Sequence, residues 1–157
     1  MEIDMTLTST PITGDEEKIE SGQHAALVQF YRAFNSRDLA LMRENWFEGE
    51  DIAMDNPLGG IKRGWEEIGQ VYAELFGGKA EVYVEFHDYT LHAASDIFYA
   101  VGRERGRFER AGEKIDLAIR TSRIFRRIES AWRQVHHHGS IDDPELLARY
   151  QRAVLGR

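Results

Sequence analysis

Along the first half of the chain, hydrophobic positions recur at three- and four-residue steps. Ile19, Ala26, Leu27, Phe30, Tyr31 and Phe34 fall on one side of a helix running from about Asp15. Asp15-Glu16-Glu17 puts negative charge in its first turn, where it complements the helix dipole. Asn35-Ser-Arg-Asp38 interrupts the pattern, and Asp38 is placed to cap a second helix, Leu39 to Phe47. Ile52 to Asn56 then reads as a short strand, stopped by Pro57 and Gly59-Gly60. A third helix runs from Trp65 to Phe76 with Ile68, Val71, Tyr72, Leu75 and Phe76 on one side, and Gly77-Gly78 ends it.

Beyond Gly78 the period changes to two. Lys79 to Ala93, Asp96 to Arg110, Glu113 to Arg127 and Ala131 to Ile141 alternate in the manner of strands, with short turns between them. Asp142-Asp-Pro-Glu145 then starts a short helix that reaches Leu155. Long strands joined by short turns imply an antiparallel meander. Helices gathered at the front would cover one of its faces, giving an α+β layer arrangement. A curved sheet against helices encloses a conical cavity, the natural place for a ligand. Residues 1–14 are expected to form a flexible tail and residues 15–157 a single domain.

Composition narrows the choices. The 157 residues are 42% hydrophobic and 30% charged, an ordinary globular balance. No apolar run approaches the ~20 residues of a membrane span. The start of the chain lacks the basic and apolar regions of a secretory signal. Without cysteine there is no disulfide, thiolate nucleophile or Cys-ligated metal. A cytoplasmic protein is expected. The net charge of −7 argues against nucleic acid as a partner. Residues 103–133 nonetheless hold nine arginines: Arg103, Arg105, Arg107, Arg110, Arg120, Arg123, Arg126, Arg127 and Arg133. Such residues are either the solvated alternate face of strands or a site for an anionic ligand.

The last strand carries His136, His137 and His138, half of the chain's six histidines. Strict alternation puts His136 and His138 on one face with Trp132, Gln134 and Ser140, a plausible cavity wall, and turns His137 away. An i,i+2 histidine pair can chelate. His87 and His92 are the other candidates, but no third ligand is fixed by spacing, so no metal is assigned.

Three blocks of the chain resemble the nuclear transport factor 2-like superfamily, in particular its SnoaL-like members and the association domain of calcium/calmodulin-dependent kinase II. They are Gln29-Phe-Tyr-Arg-Ala-Phe-Asn-Ser-Arg-Asp-Leu39, then Asp51-Ile-Ala-Met-Asp-Asn-Pro-Leu-Gly59 with Gly64 and Ile68, and Arg120-Thr-Ser-Arg-Ile-Phe-Arg-Arg127 with Trp132 and His136-His-His-Gly-Ser140. The resemblance spans about residues 20–141. It implies a cone in which a curved sheet wraps three helices, and a homodimer formed through the outer sheet face. It also argues against ketosteroid isomerase activity. The residue before the strand's proline, a catalytic aspartate in those enzymes, is Asn56 here, and an amide cannot abstract a carbon-bound proton. Tyr31 matches the oxyanion tyrosine, whereas the second, acidic donor has no counterpart near Thr121 to Arg123.

These readings give a candidate set. The expected ligand-binding residues are Tyr31, Asn56, Trp65, Arg103, Arg120, His136 and His138, around a small organic molecule, anionic if the arginines face it. If a reaction is catalysed, it is a cofactor-independent isomerisation, cyclisation or dehydration, with His136, His138 or Asp55 as acid or base and Tyr31 as the electrophile. The third alternative is an oligomeric association module with a vestigial cavity. No cofactor, metal, membrane or nucleic-acid partner is expected.

Overall fold

The computed structural model describes residues 10–155. The chain order is α1 (Gly22–Ser36), α2 (Leu39–Asn45), β1 (Ala53–Asp55), β2 (Lys62–Arg63), α3 (Gly64–Gly77), β3 (Glu81–Ala93), β4 (Ile97–Arg110), β5 (Glu113–Ile128), β6 (Ala131–Ser140) and α4 (Pro144–Leu155). The fold is α+β: one six-stranded curved sheet with the helices against its concave face. Strand order is β2-β1-β6-β5-β4-β3.

Local chemistry accounts for the element boundaries. α1 buries Leu27, Val28, Phe30 and Tyr31, while Ser21 caps it by accepting the His24 N–H at 3.0 Å. The helix therefore starts later than the acidic run Asp15–Glu17 suggests. Glu16 instead accepts from the backbone N–H groups of Thr13 and Gly14, closing a turn ahead of the helix. Gly14, at φ +96, lets that turn close against α1, since a Cβ there would sit 2.5 Å from the Arg32 nitrogen. Asp38 caps α2 through the Leu41 N–H.

Part of the segment expected as a tail, residues 10–14, packs on the fold. Residues 1–9 lie outside the described ones, but Ile12 is only 1% exposed and exchanges two backbone hydrogen bonds with Phe86, at 3.0 and 2.9 Å. An isoleucine buried this completely contributes ~1.5–3 kcal/mol, enough to hold the segment to the sheet edge.

β3 to β6 form the expected antiparallel meander. Two features depart from the expected arrangement. β1 lies parallel to β6, with Ala53, Met54 and Asp55 opposite His136, His137 and His138, and the two-residue β2 extends the sheet beyond β1. The register also slips at two places. In β3, Asp88 and Tyr89 stand against Gly102 of β4, with Asp88 at φ 51. In β6, Ile124 faces His136 while Phe125 faces Gln134, so Val135 is an extra residue. Such bulges bend the strand and reverse the facing of the residues beyond them.

The core lies between α1, α3 and the sheet. Ring contacts run from Phe30 to Tyr31 and Tyr72, and from Tyr31 to Phe86 and on to Tyr89.

Candidate functional site

The interior of the cone holds an unusual set of polar groups. Arg123 on β5 has only 2% of its side chain exposed, and Glu104 on β4 only 7%. Their charges meet at 2.9 Å, and the guanidinium lies over the Phe30 ring, 3.5 Å from its centroid. Tyr31 donates to the same Glu104 carboxylate at 2.8 Å. Arg123 also donates to Gln134 Oε1 at 2.9 Å, Gln134 donates to Asn45 Oδ1 at 2.9 Å, and Asn45 donates to the Ala26 carbonyl at 2.8 Å. The network is therefore satisfied along its length, as buried polar groups must be. Burial works against the charge of Arg123, but the attraction of Tyr31 and Glu104 holds it protonated. Burial and the adjacent Glu104 push the Tyr31 phenol well above its ordinary range, so it stays a donor.

Glu104 and Arg123 form part of the wall of a cavity of about 440 Å³ between helices and sheet. Most of that wall is apolar, with Phe30 and Phe34 from α1, Val71 and Leu75 from α3, and Leu117 and Ile119 from β5. β6 contributes His137, and α4 contributes Tyr150, Val154 and Leu155. Other charged residues around it, Lys62, Glu74, Lys79 and Arg110, are exposed and belong to the rim.

His137 is the least satisfied group in this wall. It is 6% exposed, and its Nδ1 is buried without a hydrogen-bond partner. Desolvation first, and then the Arg123 charge, hold its pKa well below the ordinary 6.5, although the Ser122 main chain weakly favours the charged form. The imidazole is thus neutral at pH 7, with one donor and one acceptor nitrogen. Gly139, two residues on, leaves room for the ring: a Cβ there would lie 3.2 Å from both His137 Nε2 and Pro57.

The three histidines face opposite to expectation. Strict alternation from Gln134 puts His136 and His138 inside; the extra residue Val135 inverts the phase, so His137 points into the cone. His136 and His138 lie on the convex face with Asp55. There His138 Nδ1 is bonded to the Asp55 carboxylate, His136 Nε2 lies 3.6 Å from it, and His136 donates from Nδ1 to the Ala53 carbonyl at 3.0 Å. These three expected acid–base residues come together, but away from the cavity. Among the described residues, no group of three or more His, Asp or Glu side chains is arranged to hold a metal ion.

The remaining candidates divide. Asn56 lines the cavity, and its Oδ1 also accepts the Leu58 N–H at 3.0 Å, so it both faces the space and braces the turn. Tyr31 is fully buried behind the wall, with its hydroxyl committed to Glu104. Trp65 is not part of the lining; its indole packs on Gly69, where a Cβ would come within 2.9 Å. Arg103 and Arg120 oppose each other across β4 and β5, exposed on the convex face. An anionic ligand held by them in the cavity is therefore ruled out by direction. Tyr72, Glu104, Arg123, His137 and Tyr150 are the internal polar wall residues absent from the expected set.

Comparison with known proteins agrees with this architecture. The sequence profile of the SnoaL-like domain matches residues 24–144. No curated protein matches the chain. Among solved structures, a candidate dehydratase of the NTF2-like family from Streptomyces avermitilis superposes with a TM-score of 0.67 at 17% identity, covering 76% of this chain and 93% of that one. An NTF2-like superfamily protein from Salmonella enterica serovar Typhimurium gives 0.68 at 19% identity, over 76% and 89% of the two chains. A candidate calcium/calmodulin-dependent protein kinase type II association domain from Thiobacillus denitrificans gives 0.64 at 25% identity, over 81% and 100%. With the profile spanning most of the chain and the cone closed around a cavity, the protein belongs to the SnoaL-like domain family within the NTF2-like superfamily.

Proposed function

We propose that the protein binds a small, neutral and largely apolar organic molecule in the cavity between helices and sheet. The observation that carries this reading is the neutral, incompletely hydrogen-bonded His137 in an otherwise apolar wall. An unmet polar atom of this kind costs ~1–3 kcal/mol, which a ligand hydroxyl or carbonyl can offset. A charged ligand finds no matching partner inside, because Arg123 is already neutralised by Glu104. Thermal-shift measurements with neutral bicyclic and monocyclic aromatics, set against their carboxylate analogues, test it. Stabilisation by neutral members is expected, and should vanish in Leu117→Trp, which fills the cavity. The reading is overturned if no neutral compound stabilises the protein, or if the filled variant responds equally.

A second reading is favoured by the charge state of His137. A desolvated neutral imidazole can serve as a general base, so the same cavity suits a proton-transfer reaction such as dehydration or isomerisation. The name of the Streptomyces relative points in the same direction. The base in this reading is His137; His136, His138 and Asp55 lie on the other face. Activity lost in His137→Gln with the fold intact would support it, and activity unchanged would end it.

We further propose that a second copy of the chain covers the convex sheet face. Tyr99 and Val101 are 45% and 41% exposed there. Among the described residues, the adjacent Arg103 and Arg120 have no carboxylate within ion-pair distance, while Asp55 lies toward the other edge of the same face. A two-fold pairing of such a face brings unlike charges together across an apolar centre.

A further inference from the structure

We propose that α4 is the selectivity element of the cavity, and that the Tyr150 hydroxyl is the hydrogen-bond partner that makes the site prefer a neutral molecule carrying one hydroxyl or carbonyl group. This deepens the binding reading above and rests on it. The SnoaL-like profile matches residues 24–144 and α4 begins at Pro144, so nearly all of this wall lies outside the matched region. It is nevertheless built into the cone. Tyr150 is the one buried residue of α4, and its ring meets Phe108 edge-on at 5.8 Å. The residues on either side of it anchor the helix across the mouth. Arg149 reaches Glu113 at 3.3 Å and the Lys114 carbonyl at 3.0 Å on the β4–β5 hairpin, and Gln151 reaches the Pro57 carbonyl at 3.1 Å beside β1.

Held this way, Tyr150 is 9% exposed, lines the cavity, and makes no hydrogen bond through its hydroxyl among the described residues. The hydroxyl is not one of the buried atoms left without a partner, so it is open to water or to a ligand in the cavity. Burial, with Glu104 nearby, raises its pKa to about 12, so it remains a phenol, able both to donate and to accept. The internal polar groups of the wall are then neutral or neutralised: Asn56, Tyr72, His137, Tyr150 and the Glu104–Arg123 pair. The polar part of the ligand is bracketed by Tyr150 on one wall and His137 on another, with apolar surface between them.

The test compares 2-naphthol, naphthalene and 2-naphthoate by calorimetric or fluorescence titration of the full chain. Wild type should bind 2-naphthol more tightly than naphthalene, and 2-naphthoate least. Tyr150→Phe keeps the ring and removes only the hydroxyl, so it should weaken 2-naphthol by about five- to tenfold, the worth of one hydrogen bond, and leave naphthalene unchanged. Equal losses for both would mean that Tyr150 acts by packing alone, and no loss for 2-naphthol would mean that its hydroxyl is idle; either overturns the inference while leaving a binding cavity. If neither neutral probe binds wild type, the binding reading and this inference fall together.

Discussion

Glu104→Gln isolates the electrostatics of the cone with the least change of shape. Glu104 and Arg123 have 7% and 2% of their side chains exposed, so water cannot take over the role of the missing carboxylate. The variant keeps a carbonyl oxygen for Tyr31 and for the guanidinium, but leaves a buried positive charge without a counter-charge. Removing one partner of a buried pair costs ~3–5 kcal/mol. Because the hydrogen-bond geometry survives, about 3 kcal/mol is expected, with a melting temperature lower by roughly 6–12 °C for a chain of this size. Urea unfolding of wild type, Glu104→Gln, Arg123→Met and the Glu104→Gln/Arg123→Met double variant reads the effect directly, provided the denaturant slope is unchanged. Each single variant should be markedly less stable than the double variant, in which no uncompensated charge remains. A Glu104→Gln cost below about 1 kcal/mol, or single costs that simply add, would refute the argument.

Three further outcomes are expected from the same geometry. His137 has a lowered pKa in the folded state, so on acidification the unfolded chain takes up a proton that the folded one refuses; its contribution is intact above about pH 6.5 and is lost progressively below. Chemical unfolding across pH should show a shallower acid decline in His137→Leu than in wild type. Gly106→Ala should abolish or severely reduce folded protein by circular dichroism, because its Cβ would sit 1.8 Å from the Tyr83 carbonyl oxygen; a normal melting temperature would contradict the register of β3 on β4. Val101→Glu, on the convex face, should leave the monomer fold unchanged and shift a dimer toward monomer in light scattering, whereas an unaltered mass would remove that face as the interface.

Much of the fold is legible in the sequence because the strand code is local. Ile115, Leu117, Ile119, Thr121, Arg123 and Phe125 share one parity, and all are buried. Arg120 is on the other parity and is exposed. Alternation alone therefore points to Arg123 as the inward arginine; the choice of Arg120 rests on a motif resemblance, and the physical pattern is the better guide. Glu104 likewise shares its parity with Phe98, Ala100 and Phe108. The pairing of β1 with β6 is not legible, since parallel neighbours distant in sequence leave no turn between them. Nor is the bulge: Val135 is β-branched and suits a regular strand, so nothing at that position marks an extra residue. Tyr150 is hidden differently, because a helix after the last strand looks like a peripheral element until its tethers are seen.

The bulge at Val135 also bears on how tolerant the cavity is to error. A sheet whose register slips by one residue normally exchanges a buried side chain for one meant for water. Here the residues flanking His137 are both histidine. Were β6 to straighten with Val135 retained, His136 and His138 would turn inward and His137 outward, so the cone would still present imidazole to whatever it holds. Asp55 would then meet a different ring on the convex side. In that register the histidine repeat would keep the same kind of group at the wall, although its position along the strand would differ.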